Sequence, residues 1–182
     1  MRNTIFVQLE RALDEFYEKE KRNLELNVHE IAHAHRLAVY FENHLRRYDE
    51  SHEEKLFKNY FVDVEFNRTE GGNPKEVYYN NELHKKRSDI LLHSKGLVPE
   101  QENLLIIELK KEDSTDKEKE DICAIKRMVS PKEDGTPDSS ICNTHLGVYL
   151  KIGEKCYFGI KFWYEDERIV SKCFHKQINS YG

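Results

Sequence analysis

The 182-residue chain predicts an α/β fold, a central mixed β-sheet flanked by helices and preceded by an N-terminal helical segment. Three observations carry this prediction. Apolar stripes of helical period occupy the first 47 residues, a period-two strand and a continuous apolar run follow, and an amphipathic helix separates that run from two alternating strands.

The elements follow in order. Ile5, Phe6, Leu9, Ala12, Leu13, Phe16 and Tyr17 recur at helical spacing with charges opposite them. A second helix is predicted from Val28 to Arg47, with Ile31, Ala34, Ala38, Phe41 and Leu45 along one stripe. Asn27, followed three residues later by Glu30, reads as its capping box. Residues 60–67 (YFVDVEFN) alternate, with Val62, Val64 and Phe66 on one face and Asp63 and Glu65 on the other, which is strand periodicity. Gly71-Gly72-Asn73-Pro74 marks a loop, Ser88 to His93 a short apolar strand, and Lys95-Gly96 a turn. Leu104 to Leu109 is a continuous apolar run, the pattern of a strand buried on both faces. A third helix is predicted from Asp116 to Val129, with Ile122, Ile125, Met128 and Val129 inward and Thr115/Glu118 as its cap. Residues 130–144 read as a loop. His145 to Ile152 and Lys155 to Tyr164 form a hairpin around Gly153, and a short strand is expected from Arg168 to Phe174.

Composition bounds the function. At this length a single domain over residues 1–182 is expected, large enough to bury a core without staples. The 38% hydrophobic and 35% charged content describes a modest core under a heavily solvated surface. A net charge of −5 argues against a general nucleic-acid coat protein, which neutralises phosphates with a basic surface. It leaves room for a local basic strip beside an acidic metal site. The four widely spaced cysteines contain no CxxC pair, and the opening residues MRNTIFVQLERALDEF have no continuous apolar stretch. Reduced thiols in the cytoplasm are therefore expected, and no segment has the length of a transmembrane helix.

The chemistry concentrates on two strands. Asp89 begins one apolar strand, and Glu108 lies near the end of another. Lys110, two residues further on, points to the same side of its strand as Glu108. If the strands are neighbours, the three groups converge. Carboxylate oxygens suit partly hydrated Mg²⁺, such an ion assists phosphodiester hydrolysis, and a nearby lysine orients water and neutralises developing charge. An ExK tripeptide alone carries little information; its placement on LLIIELKK, where a polar residue interrupts a buried run, is what distinguishes it. On spacing alone, the alternative stays open that Glu108 and Lys110 simply end a strand and face water.

RSDILLH (87–93) and IIELK (106–110) resemble the metal-aspartate strand and the (D/E)xK strand of the PD-(D/E)XK nuclease superfamily, and the similarity to its small stand-alone members runs along nearly the whole chain. HEIAHAHRLAVYF (29–41) is similar to the helix that supplies a further metal-site glutamate, here Glu30. VDVEFNR (62–68) resembles the preceding strand, where Glu65 and Arg68 match recurrent polar positions. DKEKEDICAIKRM and HLGVYLKI resemble the following helix and strand. Ser88 stands where the superfamily's name has proline, a backbone device rather than a ligand. The resemblance implies a restriction-endonuclease-like core and a Mg²⁺-dependent DNA nuclease, with Mn²⁺ able to substitute. Asp89, Glu108 and Glu30 would be its metal ligands and Lys110 its catalytic lysine. It also implies a homodimer as one assembly, and the short chain without a separate recognition domain leads us to expect either low sequence specificity or a targeting or activating partner. Folds of this kind also host inactive nucleic-acid-binding or assembly modules.

Other features are weighed against this reading. His29-Glu30-Ile31-Ala32-His33 is a formal HExxH zinc-peptidase motif. Its metzincin extension fails at Arg36 and Val39, and only Glu53 or Glu54 offers a third ligand. Lys85, Lys86 and Arg87 lead into the Asp89 strand and are expected to contact phosphates, with Lys111 extending the strip; Lys126 and Arg127 read as ordinary solvated cations. The aromatics Tyr157, Phe158, Phe162, Trp163 and Tyr164 receive no assigned role, and His93 reads as a satisfied core or edge histidine.

Overall fold

A computed structural model of the protein describes residues 1–66, 76–79, 82–85, 87–115, 117–132 and 141–178, with positions 78, 79 and 83–85 described by backbone alone. The element order is α1 (Arg2–Lys19), α2 (Lys21–Glu25), α3 (Glu30–Ser51), β1 (Phe61–Val64), β2 (Glu76–Tyr79), β3 (Glu82–Lys85), β4 (Ile90–His93), a 3₁₀ turn (Pro99–Gln101), β5 (Asn103–Lys111), α4 (Glu118–Val129), β6 (Leu146–Ile152), β7 (Cys156–Glu165) and β8 (Arg168–Gln177). Six strands form one sheet in the order β1-β4-β5-β6-β7-β8. β5 and β6 pair in parallel through the α4 crossover, and every other neighbouring pair is antiparallel. The α/β class, with a mixed sheet flanked by helices, is as the periodicities predict.

The continuous run of β5 makes physical sense in this layout. Leu105, Ile107 and Leu109 join Ile90, Leu92, Val148 and Leu150 beneath the buried stripes of α1 and α3, including Leu9, Leu13, Phe16, Leu37 and Phe41. Ile106 points the other way, into a cluster with Leu91, Val77, Ala124 and Met128 under α4. Each large side chain so buried contributes about 1.5–3 kcal/mol. Gly147 permits α4 to approach β6 closely: a Cβ there would lie 2.4 Å from Ile125 Cγ2. An alanine there would force the Ile125 side chain, or α4 with it, to shift.

Several local details depart from expectation. The cap of α3 is His29, whose Nδ1 accepts from the Ile31 amide at 3.4 Å; Asn27 instead adopts a left-handed φ of 50° at the exit from α2. α3 runs on to Ser51, beyond the Arg47 boundary. α4 is preceded by Lys117 in the left-handed region, with no side-chain cap from Thr115 or Glu118. β8 is ten residues long rather than short. The hairpin β2–β3 and the single turn α2 were not anticipated. The Gly71–Pro74 loop, Asp116 and residues 133–140 of the predicted 130–144 loop lie outside the described residues. Among those residues, no helix is long and apolar enough to cross a membrane. All four cysteines are free.

Candidate active site

Pairing of β4 with β5 is what joins the two halves of the motif. Ile90 stands opposite Ile107 in the antiparallel register, which sets Asp89 beside the C-terminal end of β5. There the Leu109 amide donates to Asp89 Oδ2 at 2.7 Å, and the Asp89 carbonyl accepts from the Glu65 amide at 3.2 Å. Asp89 therefore precedes β4 rather than lying within it, its side chain bridging to the neighbouring strand.

Glu108 and Lys110 share the α4 face of the sheet, as alternation requires. Glu108 is 2% exposed. Lys110 is directed toward two helices at once: its Nζ lies 3.7 Å from Glu30 Oε2, in the first turn of α3, and 3.6 Å from Asp121 Oδ2, in the first turn of α4. Glu30 is also tied to the strand, since its Oε1 accepts from the Lys111 amide at 3.2 Å.

The electrostatics match the geometry. Burial opposes charge on Lys110, yet the carboxylates of Asp121, Glu30, Asp89 and Glu108 outweigh it and raise the ammonium pKa above its ordinary value. Beside it in register are Tyr149, opposite Glu108, and Lys151, opposite Lys110. Lys151 pairs with Glu118 at 2.6 Å. Burial, together with Glu118 and Asp121, pushes the Tyr149 phenol well above its usual range, so it stays protonated.

No family model, curated protein or solved structure matches this chain.

Asp89, Glu108, Lys110 and Glu30 come together at the C-terminal end of β5. Asp121 joins them and was missed: in DKEKED it is one acid among several in a helix first turn, and only tertiary packing, which leaves it 4% exposed, separates it from its solvated neighbours. Asp89, Glu108 and Glu30 offer hard carboxylate oxygens alone, the donor chemistry that suits Mg²⁺ or Mn²⁺. Among the described residues, no three His, Cys, Asp or Glu side chains stand gathered as a ready ligand group. Asp89 and Glu30 are turned toward backbone amides of β5, and Glu30 and Asp121 toward Lys110.

The remaining candidates are spread more widely. Glu65 follows β1 next to Asp89, and Arg87 lies 3.9 Å from its carboxylate. Lys111 Nζ donates to the Asn27 carbonyl. Lys85 ends β3, but its side chain is not described; Lys86 and Arg68 lie outside the described residues. The HExxH histidines serve separate purposes: His29 caps α3, while His33 is buried with its ring against Phe16 (centroids 5.8 Å apart). His93 is fully buried at the opposite end of β4, its Nε2 2.8 Å from Asp63 Oδ2. Tyr157 and Phe162 are core residues, Trp163 lies under Arg2, and Lys126 covers the Phe162 ring.

Proposed function

We propose that this chain is a metal-dependent nuclease of the PD-(D/E)XK superfamily, with a restriction-endonuclease-like core, that hydrolyses phosphodiester bonds of DNA. The supporting observation is convergence. Residues from three separate segments, Asp89, Glu108 with Lys110, and Glu30, meet at one end of one strand, with Lys110 facing all three carboxylates.

Asp89, Glu108 and Glu30 would hold the ion. A divalent ion held there supplies Lewis acidity toward the phosphoryl group and toward water. Lys110 acts as a cation, because its neighbours hold the proton on it: it orients the attacking water and balances charge developing on the phosphoryl oxygens. Asp121 fixes the ammonium from the α4 side, and the Glu30–Lys111 contact ties the helix carboxylate to the strand. Arg87, beside Glu65, and Lys111, whose Nζ donates to the Asn27 carbonyl, are the members of the expected phosphate strip whose side chains are described.

The test is cleavage of linear duplex, circular duplex and single-stranded DNA by the purified chain, with Mg²⁺, Mn²⁺ or EDTA. Cutting that requires Mg²⁺ or Mn²⁺ and is lost in Asp89→Ala is the expected result. Cutting that persists in Asp89→Ala, or metal-independent binding with no cutting of any substrate, would overturn the proposal.

A further inference from the structure

The α4 face of the sheet continues past the candidate active site in a single register row. Lys110 on β5 stands opposite Lys151 on β6, Lys151 opposite Phe158 on β7, and Phe158 opposite His175 on β8. Neighbouring strands are about 4.8 Å apart, so Phe158 lies about 10 Å across the sheet from Lys110. Further along β7, α4 covers this face, and Phe162 packs against Ile125 and Val129. At the row itself the cover ends. Phe158 is 40% exposed, and His175 beside it is exposed as well. The opposite face of the hairpin is occupied by α1, through Phe6 against Phe174 and Lys176 on Asp14. The open aromatic position therefore faces the same side as the catalytic row, in line with it.

We infer that this row is a binding track for an unpaired nucleic-acid strand, with Phe158 stacking on a base next to a phosphate at the Lys110 end of the row. The inference rests on the nuclease reading above and adds to it a substrate class: single-stranded DNA, or the frayed end of a duplex. The chemistry favours an unpaired strand. An exposed aromatic ring offers a π-face, and in a duplex the base faces are already stacked on one another, whereas in a single strand they are free to stack on an aromatic side chain. The cations Lys151 and Lys110 precede the ring in the row, and the exposed Lys117 at the start of α4 lies next to Glu118, the partner of Lys151. Glu118 holds Lys151 and Glu30 with Asp121 holds Lys110, so both ammonium groups are fixed in the row ahead of the ring.

Binding is measured by fluorescence anisotropy in EDTA, where a metal-dependent nuclease cannot consume its ligand. The probe is a labelled DNA of about 12 nucleotides, within the usual site sizes of such tracks, presented as a single strand or annealed to its complement. The wild-type chain is expected to favour the single strand. Phe158→Ala should weaken that binding by about 5- to 100-fold, the range of one lost base stack. Phe158→Trp should restore it, and Tyr164→Ala, an exposed aromatic at the far end of the same strand (36% exposed), should leave it unchanged. Equal binding of duplex and single strand, no binding of either, or Phe158→Ala binding like wild type would each overturn the track. The two readings fail separately. Phe158-dependent binding without metal-dependent cutting removes the nuclease and keeps the track, and metal-dependent cutting by Phe158→Ala, with its single-strand binding like that of wild type, does the reverse.

Discussion

At the N-terminal end of β5, the imidazole of His93 and the ammonium of Lys95 share one carboxylate, that of Asp63, at 2.8 and 2.7 Å. At its C-terminal end, the Lys110 ammonium lies 3.7 Å from Glu30 and 3.6 Å from Asp121, and Asp89 and Glu108 add to the negative charge that raises its pKa. The first cluster joins β1 to the end of β4, the second joins β5 to the residue before β4 and to two helices, and both are partly or wholly out of water. In the first, two hydrogen-bond donors hold the Asp63 carboxyl below its ordinary pKa, and the arrangement resembles any buried polar contact that stitches strands together. In the second, acidic groups are drawn in from two helices and a loop to meet a strand already carrying an acid. Gathering like charges in this way works against folding. Proteins retain such arrangements where a cation or a reaction needs them. The comparison therefore sets a polar cluster in which the charges are matched beside one in which the acids outnumber the cation, and the proposed nuclease function assigns a role to the second.

The largest effect tests the functional end. Asp89→Ala and Lys110→Ala should each lower the metal-dependent cleavage rate per folded molecule by at least about 10²-fold, measured under single-turnover conditions. The urea midpoint of Asp89→Ala should stay near that of wild type, while Lys110→Ala, which takes the ammonium away from buried Asp121, should lower it. A collapse of stability with activity per folded molecule preserved would erase the distinction between the two ends. Asp121→Asn comes next. It keeps the shape of the side chain but removes the charge that fixes Lys110, and a loss of about 10- to 100-fold in rate is expected, the range seen for outer-shell partners. Asp121→Glu should recover part of it. A rate unchanged in Asp121→Asn would place that residue outside the site.

The stability end has the opposite signature. Asp63→Ala removes the shared acceptor of buried His93 and should cost about 2 kcal/mol in urea unfolding, with cleavage by the folded fraction unaltered. Because the folded carboxyl titrates below its ordinary value, its contribution is present above the unfolded carboxylate pKa and fades as pH falls through the folded one. Asp63→Asn should therefore remove part of the acid limb of the stability curve below about pH 4. Lys95→Ala, at the exposed end of the same cluster, should cost less than about 1 kcal/mol.

These differences were only partly legible in the sequence. α1 and α3 showed themselves because their buried stripes are long, and β5 because seven consecutive residues, Asn103 to Leu109, are buried. Asp89, Glu108 and Lys110 were readable because polar groups interrupted or bordered those apolar runs. Asp121 was not, since nothing local distinguishes it from Glu118 or Glu120. The β2–β3 hairpin escaped notice for a related reason: EVYYNNELHK has few apolar residues, and its described anchor in the core is the single residue Val77. The capping box at Asn27 failed by two residues because the turn after α2 needs a left-handed residue there, a role asparagine fills readily. Glu30 was reached through resemblance alone; its helix-terminal position became meaningful once α3 was seen to point its first turn at the end of β5.

The claim that binds these points together is that the C-terminal end of β5 holds a divalent cation and the N-terminal end does not. The most direct test is calorimetric titration of the purified, metal-stripped chain with Mn²⁺, beside Glu108→Gln and Asp63→Asn. The account predicts saturable binding to the wild type, its loss in Glu108→Gln, and its retention in Asp63→Asn. Binding that survives Glu108→Gln, or no binding by the folded wild-type chain, would contradict it.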